Sequence, residues 1–188
     1  MKMLKLAGAI AFVGLLTPLA ANAADGTITF SGLLLDTSCG VQTVTGGGTV
    51  TNGNFSVTLP SVLATALPSD GTTAGATPFT MVISGCPTSL ATAKAYFSGT
   101  NINTDGYLKN TDETGGVSGA ASNVELQLLN GDSSSIDLHG LNSASQGVAP
   151  ATMSNGNGQI NLQVQYHATG AATAGSVTST VDYTIEYN

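Results

Sequence analysis

The chain has 188 residues, of which 41% are hydrophobic and only 8% charged, and its four basic against eleven acidic side chains give a net charge of −7. That balance excludes a nucleic-acid or anionic-membrane binder, since both need clustered Lys and Arg. Twenty-four glycines, no tryptophan and many Ala, Ser, Thr, Val and Asn residues point to short strands and turns rather than long helices.

Residues 1–23 read as an export signal. Lys2 and Lys5 form its basic start, Leu6 to Ala20 its apolar centre, and Ala21-Asn22-Ala23 an A-x-A cleavage site. The apolar run is shorter than the roughly 20 residues of a membrane span. Cleavage leaves 165 residues, enough for one domain with a core. All eleven acidic residues follow Ala23, and only Lys94 and Lys109 remain basic, so the mature charge is −9.

The first alternating stretch, Gly26-Thr27-Ile28-Thr29-Phe30, follows the signal directly. Cys39 and Cys86 come next and lie 47 residues apart. In an exported chain an even cysteine count suggests a disulfide, the other reading being two buried thiols. Phe79–Ile83 alternates and ends at Gly85-Cys86, and Lys94–Phe97 is a short apolar segment ending at Gly99. Val124–Leu128 and Ile160–Tyr166 alternate cleanly. Asn52-Gly53, Asn130-Gly131, Asn155-Gly156 and Asn157-Gly158 mark turns. The segments 46–48, 69–76 and 111–122 read as loops, and Ser61–Leu67, between two prolines, as a turn or short helix. The last strand, Val181-Asp182-Tyr183-Thr184-Ile185-Glu186-Tyr187, puts Val181, Tyr183, Ile185 and Tyr187 on one face and ends one residue before the C-terminus. Many short strands joined by Gly/Asn turns predict an all-β antiparallel sandwich or barrel. A half-buried final strand with nothing after it offers an edge for another chain.

Catalytic chemistry has no pattern here. His139 and His167 are the only histidines, with no metal-ligand spacing between them, and they read as surface or sheet residues. There is no G-x-S-x-G elbow, and Gly46-Gly47-Gly48 lacks the Lys-Ser/Thr of a phosphate loop. No cofactor is expected. A secreted carbohydrate-binding sandwich remains as an alternative, disfavoured by the absence of Trp and the scarcity of aromatic residues.

Several motifs in order carry a family resemblance. Gly26-Thr27-Ile28-Thr29-Phe30-Ser31-Gly32 is similar to a G-T-V-x-F-x-G donor segment, followed at short distance by Cys39. Val57-Thr58-Leu59-Pro60 matches V-x-L-P/G, and Phe79, Met81, Ile83 and Cys86 match F-x-I-x-L-x-x-C. Tyr166-His-Ala-Thr-Gly-Ala-Ala-Thr173 matches Y-x-A-T-G-A-A-T, and Tyr187 is a penultimate tyrosine. The chain resembles the chaperone–usher fimbrial subunits, most closely type 1 major pilins, over nearly its whole mature length. The resemblance implies an incomplete immunoglobulin-like antiparallel sandwich lacking its last strand. It implies residues 24–36 as a donor extension, with Gly26, Ile28 and Phe30 facing the groove, and 37–188 as the pilin domain. It implies that Val181, Tyr183, Ile185, Tyr187 and Asn188 form the strand that binds a periplasmic chaperone and then the next subunit, with the Asn188 carboxylate held by basic chaperone residues. An outer-membrane usher and other fimbrial subunits are the implied partners. Export through the periplasm to a surface fimbria that supports adhesion and biofilm is the implied setting, with a minor adaptor or terminator subunit as the nearest alternative. From pattern alone, Ile28 and Phe30 fit equally the first strand of a closed sandwich. Only Ala24 and Asp25 precede Gly26 after cleavage, fewer than type 1 pilins usually carry.

Overall fold

A computed structural model describes residues 39–188. The signal 1–23 and the donor-like segment with Gly26, Ile28 and Phe30 lie outside the described residues. The strands are β1 Gly40–Thr45, β2 Thr73–Ser84, β3 Thr92–Ser98, β4 Leu108–Lys109, β5 Val124–Asn130, β6 Ala151–Thr152, β7 Gly158–Ala168 and β8 Asp182–Tyr187. They form one sheet ordered β1-β2-β7-β5-β4 and another ordered β6-β3-β8. Every ladder between them is antiparallel.

Period-two alternation explains which faces meet. β7 turns Ile160, Leu162 and Val164 inward and Asn161, Gln163 and Gln165 outward. Phe79, Met81 and Ile83 of β2, Ala93, Ala95 and Phe97 of β3, and Leu126 and Leu128 of β5 complete the same buried cluster. Cys39 and Cys86 are joined by a disulfide with Cα atoms 4.7 Å apart. It ties the start of β1 to the end of β2. Closing a 47-residue loop contributes about 4 kcal/mol by chain-entropy arithmetic.

The structure refines the sequence reading at several places and departs from it where β2 begins and where a helix opens the segment 111–122. β2 begins at Thr73, inside the segment 69–76 that reads as a loop. Gly75 there has φ +68°, and a Cβ on it would sit 3.0 Å from the Tyr166 ring, so a glycine carries the register shift between Ala74 and Thr77. The segment 111–122 opens with a short helix, α1 Thr111–Thr114, capped by the Asn110 side chain. The segment 61–67, read as a turn or short helix, holds one 3-10 turn at Ala64–Ala66, in agreement with that reading. Asn52-Gly53 and Asn155-Gly156 are two-residue turns with positive φ at both positions, closed by Thr51–Asn54 and Ser154–Asn157 bridges. Asn130-Gly131 opens a turn of another kind, in which the Ser133 N–H donates to the Asn130 carbonyl at 2.9 Å. Asn130 ends β5, is buried, and its amide bonds Ser134, the Gly147 carbonyl and the Ala149 N–H.

Those bonds fasten the long connection 131–150 across the sandwich. β6 covers β3 only at Thr92 and Ala93. Further along, Gln146 stands in for a strand: its Oε1 accepts from Phe97 N–H at 2.9 Å and its Nε2 donates to the Phe97 carbonyl at 2.6 Å. Gln146 is 1% exposed, so water cannot replace it easily. Gln146→Leu is therefore expected to strand two buried main-chain groups and lower stability by about 3 kcal/mol. Urea unfolding of the purified subunit measures this, and an unchanged midpoint would show that the amide is dispensable. Native protein alkylated without reductant should gain no mass at Cys39 or Cys86. Reduced, alkylated protein should lose about 4 kcal/mol in the same unfolding experiment.

Candidate functional site

The site grows from how β8 is paired. Thr92 and Asn188 exchange both main-chain bonds, at 2.8 and 3.0 Å. Antiparallel pairs alternate between bonded and non-bonded. With the register Lys94↔Glu186, Tyr96↔Thr184 and Ser98↔Asp182, the even residues of β8 therefore spend their N–H and C=O groups on β3. Tyr183, Ile185 and Tyr187 turn theirs to the opposite edge. Among the described residues β8 is the last strand of its sheet, so that edge carries no ladder partner.

The chain before β8 follows the same rule. Thr178 N–H donates to Asn110 Oδ1 at 3.1 Å, and its carbonyl accepts from Thr111 N–H at 2.7 Å. The Thr180 carbonyl accepts from Asn101 Nδ2 at 3.2 Å. The residues between these, like Tyr183, face the other way.

The side chains on the open edge are apolar. Val177, Val181, Tyr183, Ile185 and Tyr187 pack on the main core yet stay only partly buried. Facing them is an extended segment after the Asn52-Gly53 turn. Phe55, Val57 and Leu59 are partly buried and alternate with exposed Asn54, Ser56 and Thr58, and the segment 55–60 belongs to no strand. Tyr183 links the two rails: its hydroxyl donates to the Gly53 carbonyl at 2.6 Å, and its ring lies 5.8 Å from that of Phe55. Near the disulfide a hollow of about 380 Å³ opens between the start of β1 and β8, lined by Cys39, Gly40, Val41, Gln42, Gly53, Tyr183, Ile185 and Tyr187. At the far end lies a smaller hollow of about 150 Å³, lined by Val62, Leu67, Ala121, Tyr166 and Val177 among others.

Burial pushes the phenols of Tyr183 and Tyr187 above the usual tyrosine range, and the neighbouring Tyr183 adds to the shift at Tyr187. Both are neutral at physiological pH, so the hollow presents no charge from them. On the outer face of β8, Glu186 accepts from the Ser143 N–H at 3.2 Å and from the Ser143 hydroxyl. This pins β8 to the 131–150 connection. Among the described residues no group of three or more His, Cys, Asp or Glu could hold a metal. His139 is exposed, and His167 sits in β7 with its ring 4.4 Å from that of Tyr107.

The arrangement offers two things to one partner: a row of unpaired main-chain groups and an apolar floor. An added β-strand satisfies both. The structure brings Val181, Tyr183, Ile185 and Tyr187 together on this edge. Asn188 lies at its end, with its main chain bonded to Ala91 and Thr92. Sequence reasoning missed the facing rail, although the alternation of Phe55, Val57 and Leu59 was visible. It also missed Asn101 and Asn110, which carry no periodic signal.

Comparison with known proteins agrees with this geometry. The family model described as type-1 fimbrial protein, A, matches residues 59–188. The chain is 42% identical over 170 residues to the F17 fimbrial protein of Escherichia coli, with 87% of each chain covered. It is 38% identical over 179 residues to the major fimbrial subunit SMF-1 of Stenotrophomonas maltophilia, covering 91% of this chain and 97% of that one. A solved chain from a chaperone–usher pilus shares the fold, with a TM-score of 0.54 at 14% identity over 88% of this chain and 96% of that one. An antiparallel sandwich whose β8 edge has no ladder partner among the described residues, and relatives that are structural subunits rather than enzymes, lead to one assignment: the chain belongs to the type-1 fimbrial protein family and is a structural subunit of a cell-surface fimbria.

Proposed function

We propose that this subunit polymerises by donor-strand exchange: residues 24–36 of the next copy enter the groove between 53–59 and 177–187 and complete the sandwich. One observation carries the reading. The main-chain groups of Tyr183, Ile185 and Tyr187 face an edge with no partner among the described residues, while their side chains sit half-buried on the core. Such an edge beside apolar surface is costly to leave open. Before assembly a periplasmic chaperone lends a strand to the same edge and holds the Asn188 carboxylate. At the outer-membrane usher the donor segment replaces it. Residues 1–23 direct export, Gly26, Ile28 and Phe30 face the groove floor, and the finished shaft supports adhesion and biofilm.

A peptide of residues 24–36 tests the groove directly. At a hundredfold excess over its Kd it is expected to stabilise the mature chain by about 2.7 kcal/mol. That raises the melting temperature of a domain this size by about 5–10 °C. No shift would indicate an already closed sandwich. Replacing Tyr187 by Ser, or extending the chain past Asn188, should abolish co-purification with the chaperone, and undiminished recovery would remove β8 from the chaperone interface.

Gly26→Val separates the two ends of the subunit. Gly26 shares the inward face with Ile28 and Phe30, and a side chain there would hold the donor backbone off the floor. The chaperone complex should form normally while fibre yield collapses. Wild-type fibre yield would show that residues 26–30 are not the donor.

A further inference from the structure

We propose that the connection 131–150 closes a second strand-accepting edge, at β3, and that Gln146 is the residue that keeps this edge from taking the donor segment of another copy. This rests on the donor-strand reading and adds why each subunit accepts one strand and no more.

The first observation is where the pairing of β3 stops. Thr92, Lys94, Tyr96 and Ser98 spend their main-chain groups on β8. By the same alternation Ala93, Ala95 and Phe97 turn theirs to the opposite side. β6 is two residues long and reaches no further than Ala93. Beyond Ala93 that side of β3 has no ladder partner among the described residues. Strand edges of this kind are templates for another chain.

The second observation is what covers the stretch. Ile136 and Leu138 are buried on either side of exposed Asp137, and Gln146 and Val148 on either side of exposed Gly147. The Asp137 N–H donates to the Gln146 carbonyl at 3.0 Å and joins the two pieces. Both have the period-two alternation of a strand while belonging to none. The donor segment has the same apolar-polar-apolar pattern at Ile28-Thr29-Phe30. Ile136, Leu138 and Val148 join the same buried cluster as Ala93, Ala95 and Phe97. The connection therefore does for β3, within one chain, what a donor does for β8.

The third observation is the two-sided use of one amide. A facing strand residue would exchange two bonds with Phe97, one with its N–H and one with its carbonyl. Gln146 makes both with its side chain. Its Nε2 also lies 3.2 Å from the Leu138 carbonyl and 3.3 Å from that of Gly140, so the same group ties the edge to its cover. A side chain on Gly140 would collide with the main chain at Ser145 and Gln146, so glycine there lets the cover fold back on itself. Remove the amide and Phe97 regains a free N–H and C=O beside a cover that has lost its fastening.

The test counts strands. Native mass spectrometry of the mature chain in excess peptide 24–36 is expected to find about one peptide per wild-type subunit and up to about two on Gln146→Leu. Gln146→Asn, whose amide is too short to span both Phe97 groups, should give a mixture, and it serves where Gln146→Leu fails to fold. Without peptide, hydrogen exchange in the segment 93–97 should speed up about tenfold or more in either variant, and the second peptide should slow it again. Leu162→Ala is the control, because it loosens the core at β7 and leaves Gln146 in place; it should keep one peptide. One peptide per subunit on both Gln146 variants would overturn the proposal. So would a second peptide on Leu162→Ala, since loosening alone would then open the edge, or a second peptide that leaves 93–97 unprotected. Failure of the peptide to bind the wild-type subunit would instead overturn the donor-strand reading itself.

Discussion

The one-sided pairing of β8 is the constraint on which the molecule turns. Once Thr92 and Asn188 exchange their bonds, antiparallel geometry commits every even residue of β8 to β3 and every odd one to the other side. The same odd residues carry Val181, Tyr183, Ile185 and Tyr187. Period two therefore puts unpaired main chain and half-buried apolar side chains on the same residues. Water can satisfy the first but not the second. A small molecule could cover the second but not a row of alternating N–H and C=O groups. Only a strand with its own alternation answers both.

The other edges are treated differently. β4 and β6 have two residues each, too few to template a strand. β1 carries a register shift between Val41 and Thr43, the kind of irregularity that twists an edge away from new partners. The edge of β3 beyond β6 is occupied by the Gln146 amide, itself bonded to the Leu138 carbonyl at 3.2 Å. The strand exchange proposed above would need this asymmetry, because a second open edge of the same length would allow branching and aggregation. The buried polar residues Asn110, Asn130 and Gln146 are costly only if unpaired, and each is fully used to hold a segment that no strand covers.

Strong alternation made β7, β8 and most of β2, β3 and β5 legible in the sequence, since each buries one set of alternate apolar residues, although β5 also buries Gln127, Leu129 and Asn130. β1 was not legible, because its bulge breaks period two just after Val41. Asn130-Gly131 read as a turn, but how the connection 131–150 is fastened was not legible, because nothing local distinguishes Asn130 or Gln146 from surface amides. Their partners lie up to 49 residues away, as with Gln146 and Phe97, and only the folded chain shows them. The C-terminal half of the site was legible for the reason β8 was. That the alternating Phe55–Leu59 segment faces β8, and that Asn101 and Asn110 clamp the chain before it, became visible only in three dimensions.

Tyr183 shows how the groove is prepared for its occupant. A phenylalanine would supply the same apolar ring, but the hydroxyl reaches the Gly53 carbonyl on the opposite rail. Because the Tyr183 side chain points inward, this bond lies in the floor and leaves the edge of β8 clear. It sets the separation of the rails before any strand arrives. The disulfide fixes the start of β1 near one end of the same groove, and Glu186 with Ser143 fixes β8 from behind. Ordering these elements in advance removes part of the entropy that a donor strand would otherwise have to overcome. If a strand adds there as proposed, its free energy of addition would go into burying Val181, Ile185 and Tyr187 and pairing the edge.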